Sequence, residues 1–166
     1  MTASNPSERA PIRRRAARAF ILTPDHHVLL MRIKTPDGAV VWITPGGGVE
    51  RDEAIEAALL RELEEEVGLR GVALGPLVHR LHSTFNWGQW RVSQRDTFHA
   101  VHVERFEPVM ADEAEAEIVE SFRWWPVAEL AGAADAFMPR RIAEILSRYL
   151  AEGAADDPEE EVASLD

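Results

Sequence analysis

Glu62, Glu65 and Glu66 stand at i, i+3 and i+4, and that spacing restricts the chain more tightly than anything else in its sequence. In an α-helix the three carboxylates share one face with Cβ atoms about 5 to 6 Å apart, where they repel one another. Ile55, Leu59, Leu63 and Val67 recur every four residues and lay an apolar stripe beside the acidic one. Such a stripe docks the helix on a core and fixes the acids in place. Hard oxygen ligands converging on one point are what Mg²⁺ or Mn²⁺ takes, with waters and substrate phosphates completing the octahedron. A divalent cation is therefore the natural relief of the repulsion, while Glu56 and Glu64 read as solvated. Immediately upstream, Pro45-Gly46-Gly47-Gly48 lets the backbone turn sharply and approach a ligand, and a carbonyl of this turn is a further candidate metal ligand.

The pattern Gly47, five residues, Glu53, seven residues, then Arg61-Glu62-Leu63-x-Glu65-Glu66-x-Gly68-Leu69 resembles the Nudix box of the Nudix hydrolase superfamily at every fixed position. The resemblance implies an α/β fold, an α/β/α sandwich with a mixed central β-sheet. It also implies divalent-metal-dependent hydrolysis, by Mg²⁺ or Mn²⁺, of a nucleoside diphosphate linked to another group X. Glu62, Glu65 and Glu66 correspond to the family's metal-binding and catalytic glutamates. Gly46 corresponds to the carbonyl ligand, and Glu53 and Arg61 to the ion pair that braces loop against helix. Where the family often has Ser or Thr as helix N-cap this chain has Ala54, so Asp52 is the expected cap.

A chain of 166 residues with 46% hydrophobic content suits one domain. With no cysteine it has no disulfide framework, zinc-thiolate site or thiol nucleophile, which fits a reducing compartment, and a cytoplasmic protein is expected. No apolar run approaches the ~20 residues that span a bilayer, so no membrane partner is expected. The net charge is −11. That balance offers no basic surface for long nucleic acid and suits a small nucleotide substrate carried in with its metal.

Residues 1–14 mix Ser, Pro and Arg without periodicity and read as a flexible basic tail before a domain over 15–153. Residues 154–166 read as a disordered acidic tail. Short apolar runs at 17–22 and 28–33 flank the turn-like TPDHH and suggest a hairpin, and 40–44 a further strand carrying Trp42 into the core. Arg32 and Lys34 alternate along the second strand and point to one side, and the resemblance makes them phosphate candidates. Strands are expected at 77–82 and 95–103, joined by a connector unusually rich in aromatic and polar residues. Its rings either stack a nucleobase or cover the sheet, and Phe85 and Trp87 are the substrate-facing choices. Many relatives supply another glutamate from the loop before a tryptophan strand such as 122–126, which singles out Glu117 first and Glu120 second. A closing helix follows Pro139, with Ile142, Ile145, Leu146, Tyr149 and Leu150 as its stripe and Gly153 at its end.

The leading reading is a pyrophosphohydrolase of modified nucleoside triphosphates, nucleotide sugars, ADP-ribose or dinucleoside polyphosphates, with Glu62 as general base and Glu117 its rival. A non-catalytic nucleotide sensor of the same fold is the alternative, and a homodimer, common in the family, is open.

Overall fold

The computed structural model describes residues 5–111 and 118–165. After a 3₁₀ turn at Pro6–Glu8, strands β1 (Ile12–Leu22), β2 (His27–Lys34), β3 (Val40–Ile43) and β4 (Gly46–Gly48) lead into helix α1 (Ile55–Val67). Then come β5 (Leu77–Trp87), β6 (Trp90–His102), β7 (Val119–Pro126), α2 (Val127–Leu130), β8 (Phe137–Met138), α3 (Ile142–Glu152) and β9 (Glu160–Ser164).

The sheet is mixed, in the order β8-β3-β2-β1-β6-β5-β9. β1 runs parallel to β6 along its whole length, from Ile12 beside Val92 to Leu22 beside His102. It meets β2 only at Leu22 and Val28. Its remaining edge carries β4, while β2 takes β3 and β7. The sheet thus forks at the β1–β2 corner, and a cleft opens between its arms.

Alternation along β1 decides the layers. Ala17, Ala19 and Ile21 face α1 and pack with Ala58, Leu59, Leu63 and Val67. Phe20 and Leu22 face the other way, into a core closed by Ile142 and Leu146 of α3. Strands buried on both faces read as unbroken apolar runs, which is why 19–22 shows no period of two. Phe20 and Phe98 stack at 5.1 Å between centroids. Each such side chain contributes roughly 1.5 to 3 kcal/mol by leaving water. Trp42 is buried, edge-on to Trp125. Among the described residues no helix is long and apolar enough to cross a membrane.

Four expectations need correction. Asp52 does not cap α1: its backbone is left-handed at φ 64°, whereas an N-cap needs extended geometry, and Ala54 occupies that position without a side-chain bond. Residues 12–14 belong to β1, whose arginines extend the pairing with β6. The expected connector 83–94 is mostly strand, a hairpin turning at Gly88 and Gln89. Its polar residues find partners there, His82 with Ser93 and Asn86 with Arg91. The acidic segment 154–166 contains β9, which lies parallel to β5. Basic side chains account for it: His79 meets Glu161 at 2.7 Å, Arg80 meets Asp157 at 2.8 Å, and Arg95 faces Glu160.

Candidate active site

Gly46 enters the site because nothing larger fits. Its φ is 136°, and a Cβ there would run into the Ala17 carbonyl and lie 2.7 Å from the Arg18 Cα. Only glycine allows so close an approach in that backbone geometry. The turn is hung on β1, since the Ala19 amide donates to the Pro45 carbonyl at 2.9 Å and the Val49 amide to that of Arg15 at 2.9 Å. Helix α1 docks from the other side and ends at Gly68, φ 73°, whose amide satisfies the Glu64 carbonyl.

The dock brings the acids onto the turn. Glu66, almost fully buried, accepts the Gly46 amide on Oε2 at 2.8 Å. Glu62, also buried, lies against Gly47, where a Cβ would come 2.5 Å from its carboxylate. Glu65 is more open, its side chain 43% exposed. Arg61 gathers the neighbourhood. It donates to both oxygens of Glu53 at 3.0 and 2.8 Å, to the Gly48 carbonyl at 3.0 Å and to Glu62 at 2.9 Å, and stands 3.6 Å from Glu65. Glu64 leans away to Arg70.

Among the described residues no three acidic or histidine side chains already converge like metal ligands. The donor set still fits a hard cation. Glu62, Glu65, Glu66 and the Gly46 carbonyl offer oxygen alone, with no nitrogen or sulfur ligand to favour a softer metal. Gly47 leaves the Glu62 carboxylate room that any side chain would fill.

Hydrogen bonds from Arg61, and then the Glu50 amide, hold the Glu53 carboxyl down from its ordinary 4.5 to about 2, while the Arg61 guanidinium is held above its usual range. A depressed acid contributes stability that is fully present above its unfolded value and is lost as pH falls through the folded one. The difference in melting temperature between wild type and Glu53→Gln is therefore expected to be full at neutral pH and to shrink between pH 4.5 and about 2. Thermal melts across that range check it, and a constant difference would remove the brace from the stability of the turn.

A cavity of about 690 Å³ opens beside the turn, within the size range of ligand sites. Gly46, Gly47, Gly48 and Glu66 line one end, and Phe85, Trp87 and Trp90 of the β5–β6 hairpin line a wall. Arg18, Gln94 and Asp96 form a polar floor, near the buried Thr44, whose hydroxyl has no hydrogen-bond partner among the described residues. Arg32 and Lys34 are not part of it. They do share one side, but β2 turns Met31 and Ile33 toward the cavity. Arg32 instead donates to Glu120 on β7 at 2.7 Å, which also occupies the second-choice glutamate. Glu117 lies outside the described residues. Sequence reasoning missed Arg18, Gln94, Asp96 and Arg140, all of which line the cavity together with Arg14 of the supposed basic tail. Arg18 had a signal, a lone charge inside the apolar run 16–22.

The profile of the family described as NUDIX domain matches residues 12–149. A curated relative, RNA pyrophosphohydrolase of Acidiphilium cryptum, is 51% identical over 39 residues, 24% of each chain. The RNA pyrophosphohydrolase of Saccharophagus degradans is 44% identical over 69 residues, 37% of this chain and 40% of its own. The chain thus spans less than half the length of these curated relatives. Among solved structures, the MutT NUDIX hydrolase of Burkholderia pseudomallei is 26% identical, covers 82% of this chain and 97% of its own, and superposes with a TM-score of 0.56. The NUDIX domain of Shewanella oneidensis NrtR, solved with ADP ribose, shares the fold at 18% identity and a TM-score of 0.62, covering 87% and 91%.

Proposed function

The chain belongs to the NUDIX domain family, and from that premise we propose that it is a divalent-metal-dependent pyrophosphohydrolase cleaving a nucleoside diphosphate linked to a group X. The observation that carries the reading is the packing of two buried glutamates, Glu62 and Glu66, against a glycine turn at the end of a nucleotide-sized cavity.

A hydrolase of phosphoanhydrides needs a nucleophilic water, relief of phosphate charge and alignment of attack. A bound Mg²⁺ or Mn²⁺ supplies all three, acidifying water, acting as Lewis acid and serving as template. The chain's own residues do the rest. Glu62, Glu65, Glu66 and the Gly46 carbonyl would hold the cation. Arg61 fixes Glu62 against the turn and ties it to Glu53. Glu62, hard against Gly47, takes the proton of the attacking water, with Glu117 as the rival base. Phe85 and Trp87 line the cavity, where stacking of a base on an aromatic ring contributes about 1 to 3 kcal/mol.

Relatives named RNA pyrophosphohydrolase and a neighbour solved with ADP ribose widen the choice of X. The test is ion-exchange analysis of products from a panel of substrates. It holds nucleoside triphosphates and their oxidised forms, nucleotide sugars, ADP-ribose, dinucleoside polyphosphates and a 5′-triphosphorylated oligonucleotide. Cleavage of one class to a nucleoside monophosphate and a phosphorylated X, stopped by EDTA, is expected. No cleavage with Mg²⁺ or Mn²⁺, together with retained nucleotide binding, would make the protein a sensor.

A further inference from the structure

The Gly46 turn is held by a charged side chain as well as by backbone. Arg18 lies opposite Gly46 in the β1–β4 register, and its side chain, only 18% exposed, donates from Nε to Asp96 Oδ1 at 3.1 Å. Its Nη1 reaches back to the Thr44 carbonyl at 3.1 Å and to the Gly46 carbonyl at 3.4 Å. Asp96 is itself anchored, taking Gln94 Nε2 on its two oxygens at 3.0 and 3.2 Å. A chain of contacts therefore runs from β6 through Arg18 to the carbonyl beside the acidic helix. We infer that Arg18 is a positioning residue for the metal site, clamping the Gly46 carbonyl in line with Glu66 through its forked contact with Asp96 and the turn.

Two physical arguments support this. A guanidinium is planar and offers five donors in a fixed fork, so one side chain can bind a carboxylate and two carbonyls at once, which an ammonium cannot do with the same geometry. The Arg18–Asp96 pair also has no net charge, so the contribution is geometric and not an added attraction for cations. Partners that orient ligands from behind typically change metal affinity 10- to 100-fold when removed.

The inference rests on the metal reading above, and Mn²⁺ binding followed by electron paramagnetic resonance separates the two. Arg18→Lys keeps the charge and a partner for Asp96 but not the fork, and is expected to weaken Mn²⁺ binding roughly 10-fold or more. Arg18→Gln removes a positive charge beside the acids. Charge alone would make it bind Mn²⁺ more tightly, whereas a positioning role makes it bind more weakly. Unchanged or tighter binding in both variants overturns the inference and leaves the metal reading intact, while a wild type that binds no Mn²⁺ overturns both. Should neither variant fold, nuclear magnetic resonance of the wild type decides. The Gly46 amide and Arg18 Nε–H signals are expected to shift together with one Mg²⁺ midpoint, and an Arg18 signal unmoved at saturation overturns the clamp.

Discussion

Glu65→Gln is expected to lower kcat/KM by roughly 10²- to 10⁴-fold while leaving the melting temperature almost where it was, an effect in the range of losing a catalytic acid–base group or charge-stabilising contact. Gln has the shape of Glu without the charge. The Glu65 side chain is 43% exposed, and its ion-pair distance to Arg61 is 3.6 Å. Substitutions at such places usually shift stability by less than about 0.5 kcal/mol. Lost activity in a protein that melts normally would then belong to chemistry and not to folding. Steady-state kinetics with paired thermal melts check it, and unchanged kinetics would remove Glu65 from the metal-binding set.

Gly47→Ala should be nearly as damaging to activity, for a steric reason. The added methyl would come 2.5 Å from the Glu62 carboxylate, so the carboxylate has to leave its place against the turn. Gly47 lacks the positive φ of Gly46, so the backbone tolerates alanine and the protein should still fold. A fall in activity of about 10²-fold, the scale of a misplaced catalytic group, is expected with Mn²⁺ binding weakened in parallel. Gly46→Ala behaves differently. There the methyl meets the backbone of β1 in a conformation foreign to alanine, and stability falls by about 3 kcal/mol or more. Equal effects of the two substitutions on stability would contradict the distinct roles given to these neighbours.

The acidic helix was legible because its information is local. The i, i+3, i+4 glutamates and the four-residue apolar stripe lie on one helix, and Gly68 stops it by its own conformational freedom. The cavity was not legible in the same way. Its floor joins Arg18 of β1 to Gln94 and Asp96 of β6, strands paired in parallel more than seventy residues apart, and no spacing in the chain announces that register. Arg32 and Lys34 show the limit from the other side. Alternation put them together correctly, but which face they share depends on β7 and on Glu120. The acidic end of the chain misled for a related reason. A segment of six acids over 154–166 reads as solvated until His79, Arg80 and Arg95 are found beside it.

The account turns on water attacking a phosphoanhydride at the Glu62–Glu66 site. Its most direct test takes whichever panel member is cleaved, runs the reaction to a single turnover in water labelled with heavy oxygen, and weighs both products by mass spectrometry. The account predicts one labelled oxygen in one phosphate-bearing product and none in the other, with Mg²⁺ required and Glu65→Gln slowed by at least about 10²-fold. Cleavage without label in either product, or label appearing at the same rate in EDTA and in Glu65→Gln, would contradict it.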